Sequence, residues 1–283
     1  MLFISTGYRK EFLLLMRTVF IVNPRSGPRS AAQSIRDSLR ASSFFKNAEV
    51  IETAAPGDAV SIARRLCENA GEDICLTACG GDGTINEVVN GAVGFEHAVI
   101  SAIPCGSGND LVKYWGGSNL FSSPDAFSNG TIVPVDLIRV NDRCAINEVN
   151  FGYDAVCADR MVRFRRFPFL SGHRSYYPAV ILSLADSMRH RCTLTADGET
   201  LADGDLLLCT LCNGDYIGGS FRCAPRADIS DGMMEICAVK PISRLKFASM
   251  IGAYKAGTHL DDPRFSEIMI YRRARHAVVD SPR

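Results

Sequence analysis

The stretch from Asp73 to Gly91 limits what this chain can fold into more than any other. An apolar run, Ile74-Cys-Leu-Thr-Ala-Cys79, breaks at Gly80-Gly81-Asp82-Gly83 and passes straight into Thr84-Ile-Asn-Glu87-Val-Val-Asn90, which Gly91 stops. A short apolar run bounded by glycine reads as a buried strand, and the residues after it carry helical spacing. Three glycines in four positions let the backbone turn sharply and approach a ligand without Cβ hindrance. The helix behind them offers unpaired N–H groups and a positive dipole end, which attract phosphate. Thr84 can cap that helix or bond a phosphate oxygen. Asp82, an acid in such a place, makes sense with magnesium or a ligand hydroxyl nearby. The loop is neither a Walker A, which needs Lys after its last Gly, nor the dinucleotide G-x-G-x-x-G. Alone, it also reads as a plain tight strand-to-helix turn.

Its neighbours repeat the arrangement. Thr18–Val22 predicts a strand ending in Asn23-Pro24-Arg25-Ser26-Gly27, then a helix over Ser30–Arg40 with Ala31, Ile35 and Leu39 on one face. Ala48–Thr53 predicts a strand and Gly57–Asn69 a helix, followed by the strand Asp73–Cys79 and the helix Thr84–Asn90. A further strand, Ala98–Ile103, ends in Pro104-Cys-Gly106-Ser107-Gly108-Asn109-Asp110. Alternation of this kind predicts a Rossmann-like parallel sheet covered by helices, with ligands bound beyond the carboxyl ends of the strands. Three loops of glycine and small polar residues at one sheet edge point to nucleotide phosphate.

From Gly130 onward the pattern changes to short strands (Thr131–Val140, Arg143–Asn147, Cys192–Ala196, Asp205–Asn213, Met233–Val239, Ile268–Arg272, His276–Val279). Helical stretches at Ala155–Arg165 and Tyr176–Met188 interrupt them, and turns such as Asp197-Gly198 and Asp231-Gly232 separate them. This predicts an antiparallel β-sandwich domain over 131–283, after a nucleotide-binding domain over 16–130. Met16 is expected to be the true start, with residues 1–15 a non-native or disordered extension.

Composition closes off other classes. Thirty-one basic residues balance thirty-one acidic ones, so no basic excess is available for coating nucleic acid. No run reaches the roughly 18 apolar residues of a membrane span. The eleven cysteines lie mostly inside apolar runs, which reads as buried thiols in a reducing cytosol rather than a disulfide framework. Cys75/Cys79 and Cys209/Cys212 both fall in predicted strands, and there Cys209 and Cys212, three apart, point to opposite faces and cannot share zinc.

The motifs Asn23-Pro-x-Ser26-Gly27, Gly80-Gly-Asp-Gly-Thr84-x-x-Glu87-Val-x-Asn-Gly91 and Pro104-x-Gly-Ser107-Gly-Asn-Asp110, in this order, resemble the diacylglycerol kinase catalytic-domain family. Bacterial soluble lipid kinases would be the closer relatives and sphingosine kinases the more distant. Asn150-Phe-Gly-Tyr-Asp154-Ala155 and Gly218-Gly-Ser-Phe221-x-x-Ala224-Pro225-x-Ala227-x-x-x-Asp231-Gly232 extend the likeness over nearly all of the chain from Met16. The glycine-rich motif is shared with NAD kinases and phosphofructokinases, whereas the first loop and the Ala-Pro…Asp-Gly stretch favour lipid kinases.

The resemblance implies ATP-dependent phosphorylation of a lipid hydroxyl, with ATP across Asn23, Ser26, Gly27, Thr53, Gly80–Thr84, Glu87, Gly106, Ser107, Asn109 and Asp110. It implies a structural Mg2+ held by the Asp231 carboxylate with the Asp228 and Met233 backbone carbonyls. Asp82, Asp110 and Asp136 would link that ion to the nucleotide. Asp136 and Asp231 equally read as ordinary turn aspartates. In the family a late Asp-Gly-Glu supplies the proton acceptor, and this chain ends at Val279-Asp-Ser-Pro-Arg283, so a C-terminally incomplete copy is expected. The one Asp-Gly-Glu present, Asp197-Gly198-Glu199, falls in a hairpin turn. Asp82 is then the candidate catalytic base, by analogy with sphingosine kinases.

The stretch around Arg163-Phe164-Arg165-Arg166-Phe167 interleaves arginine and aromatics, which suits an anionic membrane surface; it also reads as a helix with phenylalanines packed inward. The expectation is therefore a cytoplasmic lipid kinase that visits the membrane, with no transmembrane segment and no nucleic-acid partner, a homodimer remaining open. A small-metabolite kinase of the NAD-kinase type and a non-catalytic nucleotide- or lipid-binding protein are the alternatives.

Overall fold

The structure, a computed structural model, describes residues 2–6, 16–27, 31–164, 176–185 and 188–282. The chain forms two compact units, Met1–Ile146 and Asn147–Arg283.

The first unit is built on a six-stranded sheet. Its strands are β1 (Leu2–Thr6), β2 (Arg17–Val22), β3 (Glu49–Glu52), β4 (Ile74–Gly80), β5 (Ala98–Pro104) and β6 (Gly130–Pro134), in the order β3-β2-β4-β5-β1-β6. β2, β3, β4 and β5 run parallel. Every residue of β4 is buried, as a central strand covered on both faces requires. Helices α1 (Ala31–Ala41), α2 (Asp58–Glu68) and α3 (Asp82–Ala92) turn apolar stripes inward: Ala32, Ile35 and Leu39 on α1, and Ala59, Ile62, Ala63, Leu66 and Cys67 on α2. A short helix, α4 (Asp110–Lys113), follows β5.

Two expectations about the boundaries differ from the structure. Residues 1–15 are expected outside the fold, yet β1 pairs parallel with β5 and antiparallel with β6. Its backbone covers an edge that β5 would otherwise present unpaired. The unit also runs past residue 130. β6 belongs to its sheet, and the hairpin β7 (Ile138–Val140) and β8 (Arg143–Ala145) is tied to α3. Asn90 Nδ2 donates to the Cys144 carbonyl (2.7 Å), Cys144 N donates to Asn90 Oδ1 (2.9 Å), and Ile146 N donates to Asn86 Oδ1 (3.1 Å). Asn86 and Asn90, four apart, share one helix face.

The second unit packs two antiparallel sheets. One, in the order β14-β13-β12-β9, comprises β9 (Glu148–Gly152), β12 (Leu208–Cys212), β13 (Met234–Val239) and β14 (Met269–Ala274). The other comprises β10 (His190–Ala196), β11 (Glu199–Leu206) and β15 (Ala277–Asp280), in the order β11-β10-β15. Between them lie Cys192, Leu194 and Leu206 from one sheet and Cys209, Ile236 and Ala238 from the other. The outer face of the larger sheet buries Cys212, Cys223 and Cys237 against Met250 and Tyr254 of α7 (Arg244–Ala256). Cys209 and Cys212 thus enter different clusters, as alternation along a strand dictates. Helices α5 (Tyr153–Phe164) and α6 (Tyr176–Ser183) pack about Tyr153, Cys157 and Leu208. The Asp197-Gly198 turn joins β10 to β11, and the Asp197 carboxylate accepts from the His276 N–H at 2.8 Å.

Here too the sequence reading errs locally. Asp205–Asn213 is not one strand: the chain changes sheets at Leu207, leaving β11 in one and β12 in the other. Thr131–Val140 breaks after Pro134 into β6 and β7. Helix α7 has no clean apolar stripe; Leu245 is 85% exposed, so periodicity does not reveal it.

Of the eleven cysteines, nine are buried, and none is bonded to another. Burial pushes the Cys75 and Cys209 thiols up to about 12, which keeps them protonated and inert.

Gly91 is where α3 meets α2: a Cβ there would lie 2.6 Å from Ala63 Cβ and collide with the Val60 carbonyl. Gly91→Val is expected to cost about 2–3 kcal/mol in urea unfolding, from overpacking a tight contact. An unchanged midpoint would contradict this packing.

Candidate active site

Four strands of the first unit deliver the predicted loops to one sheet edge. Asn23 follows β2, Thr53 follows β3, Gly81 to Thr84 lead β4 into α3, and Cys105 to Asp110 lead β5 into α4. Hydrogen bonds link these loops rather than merely bringing them near. Asn23 N donates to the Cys79 carbonyl (2.9 Å), and Asn23 Nδ2 donates to Thr84 Oγ1 (3.1 Å). Cys105 N donates to the Gly80 carbonyl (2.8 Å), and Thr53 N to the Val22 carbonyl (2.9 Å). The Glu87 carboxylate reaches back from α3 to accept from Gly57 N (3.0 Å), fixing the turn into α2. Gly27 lies against the Cys105 carbonyl, and Ser26 Oγ lies 3.7 Å from where a Cβ on Gly81 would stand. A Cβ on Gly81 would also sit 3.1 Å from Gly106 Cα, and one on Gly106 only 2.5 Å from Gly81 Cα. The two loops therefore meet backbone to backbone, which only glycine on both sides permits.

Asp82 locks the arrangement. Its Oδ1 accepts from the backbone N–H groups of Asp110 (2.7 Å) and Leu111 (3.3 Å), holding the third loop to the second. Asn109 sits in the left-handed region (φ 53°), and its side chain closes the loop by accepting from Gly106 N (2.9 Å) and donating to the Gly106 carbonyl (3.1 Å). The remaining oxygens converge: Asp82 Oδ2 and Asp110 Oδ2 lie 2.8 and 3.1 Å from where a Cβ on Gly108 would stand. Lys113 pairs with the other Asp110 oxygen at 2.6 Å. Burial raises the affinity of Asp82 for a proton, and the Asp110 charge adds to it against the opposing backbone N–H groups.

Thr84 does not cap α3. The N-cap is Gly81, with no side-chain cap, and the Thr84 hydroxyl, 6% exposed, is engaged by Asn23 instead. Ser107 stands in the third loop beside Gly106. Asp136 follows β6 and is half-buried.

The other predicted residues belong to the second unit. Asp228 and Asp231 lie in the turn before β13, with Met233 just ahead of that strand. Arg163, exposed near the end of α5, pairs with Asp159 at 2.8 Å; Phe164 ends the helix. Arg166 and Phe167 lie outside the described residues. Sequence reasoning assigned no role to Asn86, Asn90 or Lys113, although the helical spacing of the two asparagines was available. It also passed over the chemistry of Asp154, whose carboxyl burial pushes up to about 7 despite a hydrogen bond from the Thr210 hydroxyl (3.3 Å).

The two acidic groups differ as hosts for magnesium. Two carboxylate oxygens close to one point beside Gly108 suit a divalent cation, which Asp110 would hold. Asp231 suits that role less, because Met233 N already donates to its Oδ1 (2.9 Å) and the Arg273 guanidinium to its Oδ2.

The profile for the diacylglycerol kinase catalytic domain matches residues 17–140, and that for the YegS C-terminal NAD kinase beta sandwich-like domain matches residues 147–278. The chain belongs to the diacylglycerol kinase catalytic-domain family. A protein of Shewanella frigidimarina named "Probable lipid kinase YegS-like" is 30% identical over 205 residues, 70% of this chain and 64% of that protein, so this chain spans less than two thirds of that relative's length. "Diacylglycerol kinase" of Bacillus subtilis is 26% identical, over 81% of this chain and 73% of its own length. A crystal structure of a diacylglycerol kinase from Bacillus anthracis superposes with a TM-score of 0.68 at 21% identity, covering 94% of this chain and 86% of that one.

A carboxyl with raised proton affinity destabilises the fold once ionised, so its contribution is lost as pH rises through the folded-state value. Asp82→Asn keeps the acceptor for Asp110 and Leu111 and removes the charge. It is expected to melt above the parent near pH 7, by roughly a few degrees, with the gap closing toward pH 4. A variant that melts lower near pH 7 would contradict the buried-carboxylate account.

Proposed function

We propose that this chain is an ATP-dependent lipid kinase, transferring the γ-phosphate to a hydroxyl of diacylglycerol or a related lipid. The observation that carries this reading is the convergence of the Asp82 and Asp110 oxygens on one volume, ringed by three glycine loops at the start of α3. Phosphoryl transfer asks mainly for positioning and for neutralisation of developing charge. The backbone N–H groups of Gly81 to Gly83 stand at the positive end of α3 and bind and orient phosphate oxygens. Asn23, held on Thr84, and Ser26, beside Gly81, fix the triphosphate laterally, with Ser107 supplying a hydroxyl from the third loop. Mg2+, held by Asp110, would supply charge neutralisation when bound. In this reading the cation rests on Asp110, so Asp82 Oδ2 is left to accept the proton of the attacking hydroxyl, and the raised proton affinity of this carboxyl suits it to that role. No helix among the described residues is long and apolar enough to cross a membrane. The lipid is therefore met at a surface, where Arg163 and Phe164 are the described candidates for contact. We place the enzyme in the cytoplasm, where reduced cysteines persist.

Transfer of labelled γ-phosphate from ATP with Mg2+ to diacylglycerol in mixed micelles tests the reading, with NAD as a parallel acceptor. Labelled lipid is expected, falling by about 10²-fold or more in Asp82→Ala, the scale of a lost general base. Label on NAD instead of lipid, or full lipid transfer by the variant, would overturn it.

A further inference from the structure

The turn between Asp228 and Glu235 is where the resemblance implies a structural divalent cation, and the second unit already holds a cation there. Glu235 on β13 stands directly opposite Arg273 on β14 in the antiparallel ladder, so both side chains leave the same face. Arg273 Nε lies 3.3 Å from Glu235 Oε1, and the far end of the guanidinium is paired with Asp231 Oδ2. Glu235 is buried, 3% exposed, so its charge depends on a partner. Asp231 spends its other oxygen on Met233 N, at 2.9 Å. Asp228 is turned back on its own loop, where Oδ1 accepts from both Ser230 N and Ser230 Oγ at 3.0 Å. Among the described residues, no three His, Cys, Asp or Glu side chains gather so as to hold a metal ion.

We propose that Arg273 takes the place of the divalent cation in this turn, bridging Asp231 and Glu235, so that the second unit needs no metal to hold its Ala-Pro…Asp-Gly segment. The guanidinium is suited to this. It is planar, always charged, and presents several donors in a fixed fork, so one side chain can satisfy two carboxylates as a bound ion would. A divalent ion at Asp231 Oδ2 would have to share that oxygen with the guanidinium, at contact distance from a like charge. The assignment also explains how Glu235 is tolerated in the sheet, where the Tyr271 hydroxyl, two residues along β14 from Arg273, faces the same carboxylate. With the guanidinium removed, Asp231 and Glu235 would face each other unneutralised, with Asp231 Oδ2 available to a metal. The inference concerns the second unit alone and does not depend on the lipid-kinase reading.

Thermal unfolding of the full chain, without nucleotide, tests it in an Asp82→Asn background that removes the other acidic pair. Arg273→Met and Arg273→Lys are made in the same background, and each protein is melted in EDTA and in MgCl2. The Arg273 parent is expected to melt at the same temperature in both. Arg273→Met should melt lower in EDTA, by roughly 2–5 °C, because it leaves the buried Glu235 carboxylate uncompensated although Arg273 itself is half exposed. Magnesium should restore part of that loss, and no longer do so once Asp231→Asn is added. Arg273→Lys keeps the charge and should stay close to its parent in EDTA, which preserves the test if the Met variant fails to fold. A parent whose melting temperature falls on chelation, an Arg273→Met protein as stable as its parent, or one that magnesium does not raise would each overturn the proposal.

Discussion

The Asp82 carboxylate is the interaction on which the first unit's site depends. It belongs to one loop, yet it closes the first backbone N–H groups of α4 in another, and so fixes the distance between the ends of β4 and β5. That distance is short enough for Gly81 and Gly106 to meet through their backbones. Asn23 performs the same service from β2, with its backbone on Cys79 and its amide on Thr84. The site is thus preorganised by the same groups to which we assign its chemistry. The cost is a partly buried acid beside a second acid, which the fold tolerates because backbone N–H groups stabilise the charge. Strain of this kind is common where function and stability compete.

The second unit solves a comparable problem differently. Its acidic turn also brings carboxylates together, but there a side chain of the same protein supplies the positive charge. Where two oxygens converge beside Gly108, the loop leaves them facing a common volume; where two carboxylates converge above β13 and β14, Arg273 is already between them. Chemically similar clusters therefore have opposite prospects as metal hosts. What decides is the residue paired across the ladder, not the acids themselves.

Much of the first unit was legible in the sequence, because its signals are local. A wholly apolar strand, a glycine break and an immediate helix leave few alternatives, and each strand-loop-helix unit could be read without knowing the others. The cross-links were not legible: nothing in Asp82 or Asn23 announces which N–H group each will meet. The second unit was read less well for the same reason. Antiparallel strands that change sheets at Leu207 look continuous in sequence, and α7 lacks a one-sided apolar pattern. The turn carrying Asp231 was recognisable, but its partner Arg273 lies 42 positions away, and only the ladder register brings them together. Residues 2–6 likewise take their place in the sheet only through pairing with the distant β5 and β6. Pairing, unlike periodicity, is not written locally.

The most direct test of the central claim is hydrogen exchange of the full chain with and without ATP and Mg2+, read at peptide resolution. Nucleotide held by three cross-linked loops should protect the backbone around residues 23–27, 80–86 and 105–111 together. The β-rich unit over 147–283 should be left largely unchanged by nucleotide alone. Protection of only one of those loops, or none, would contradict the site described for the first unit.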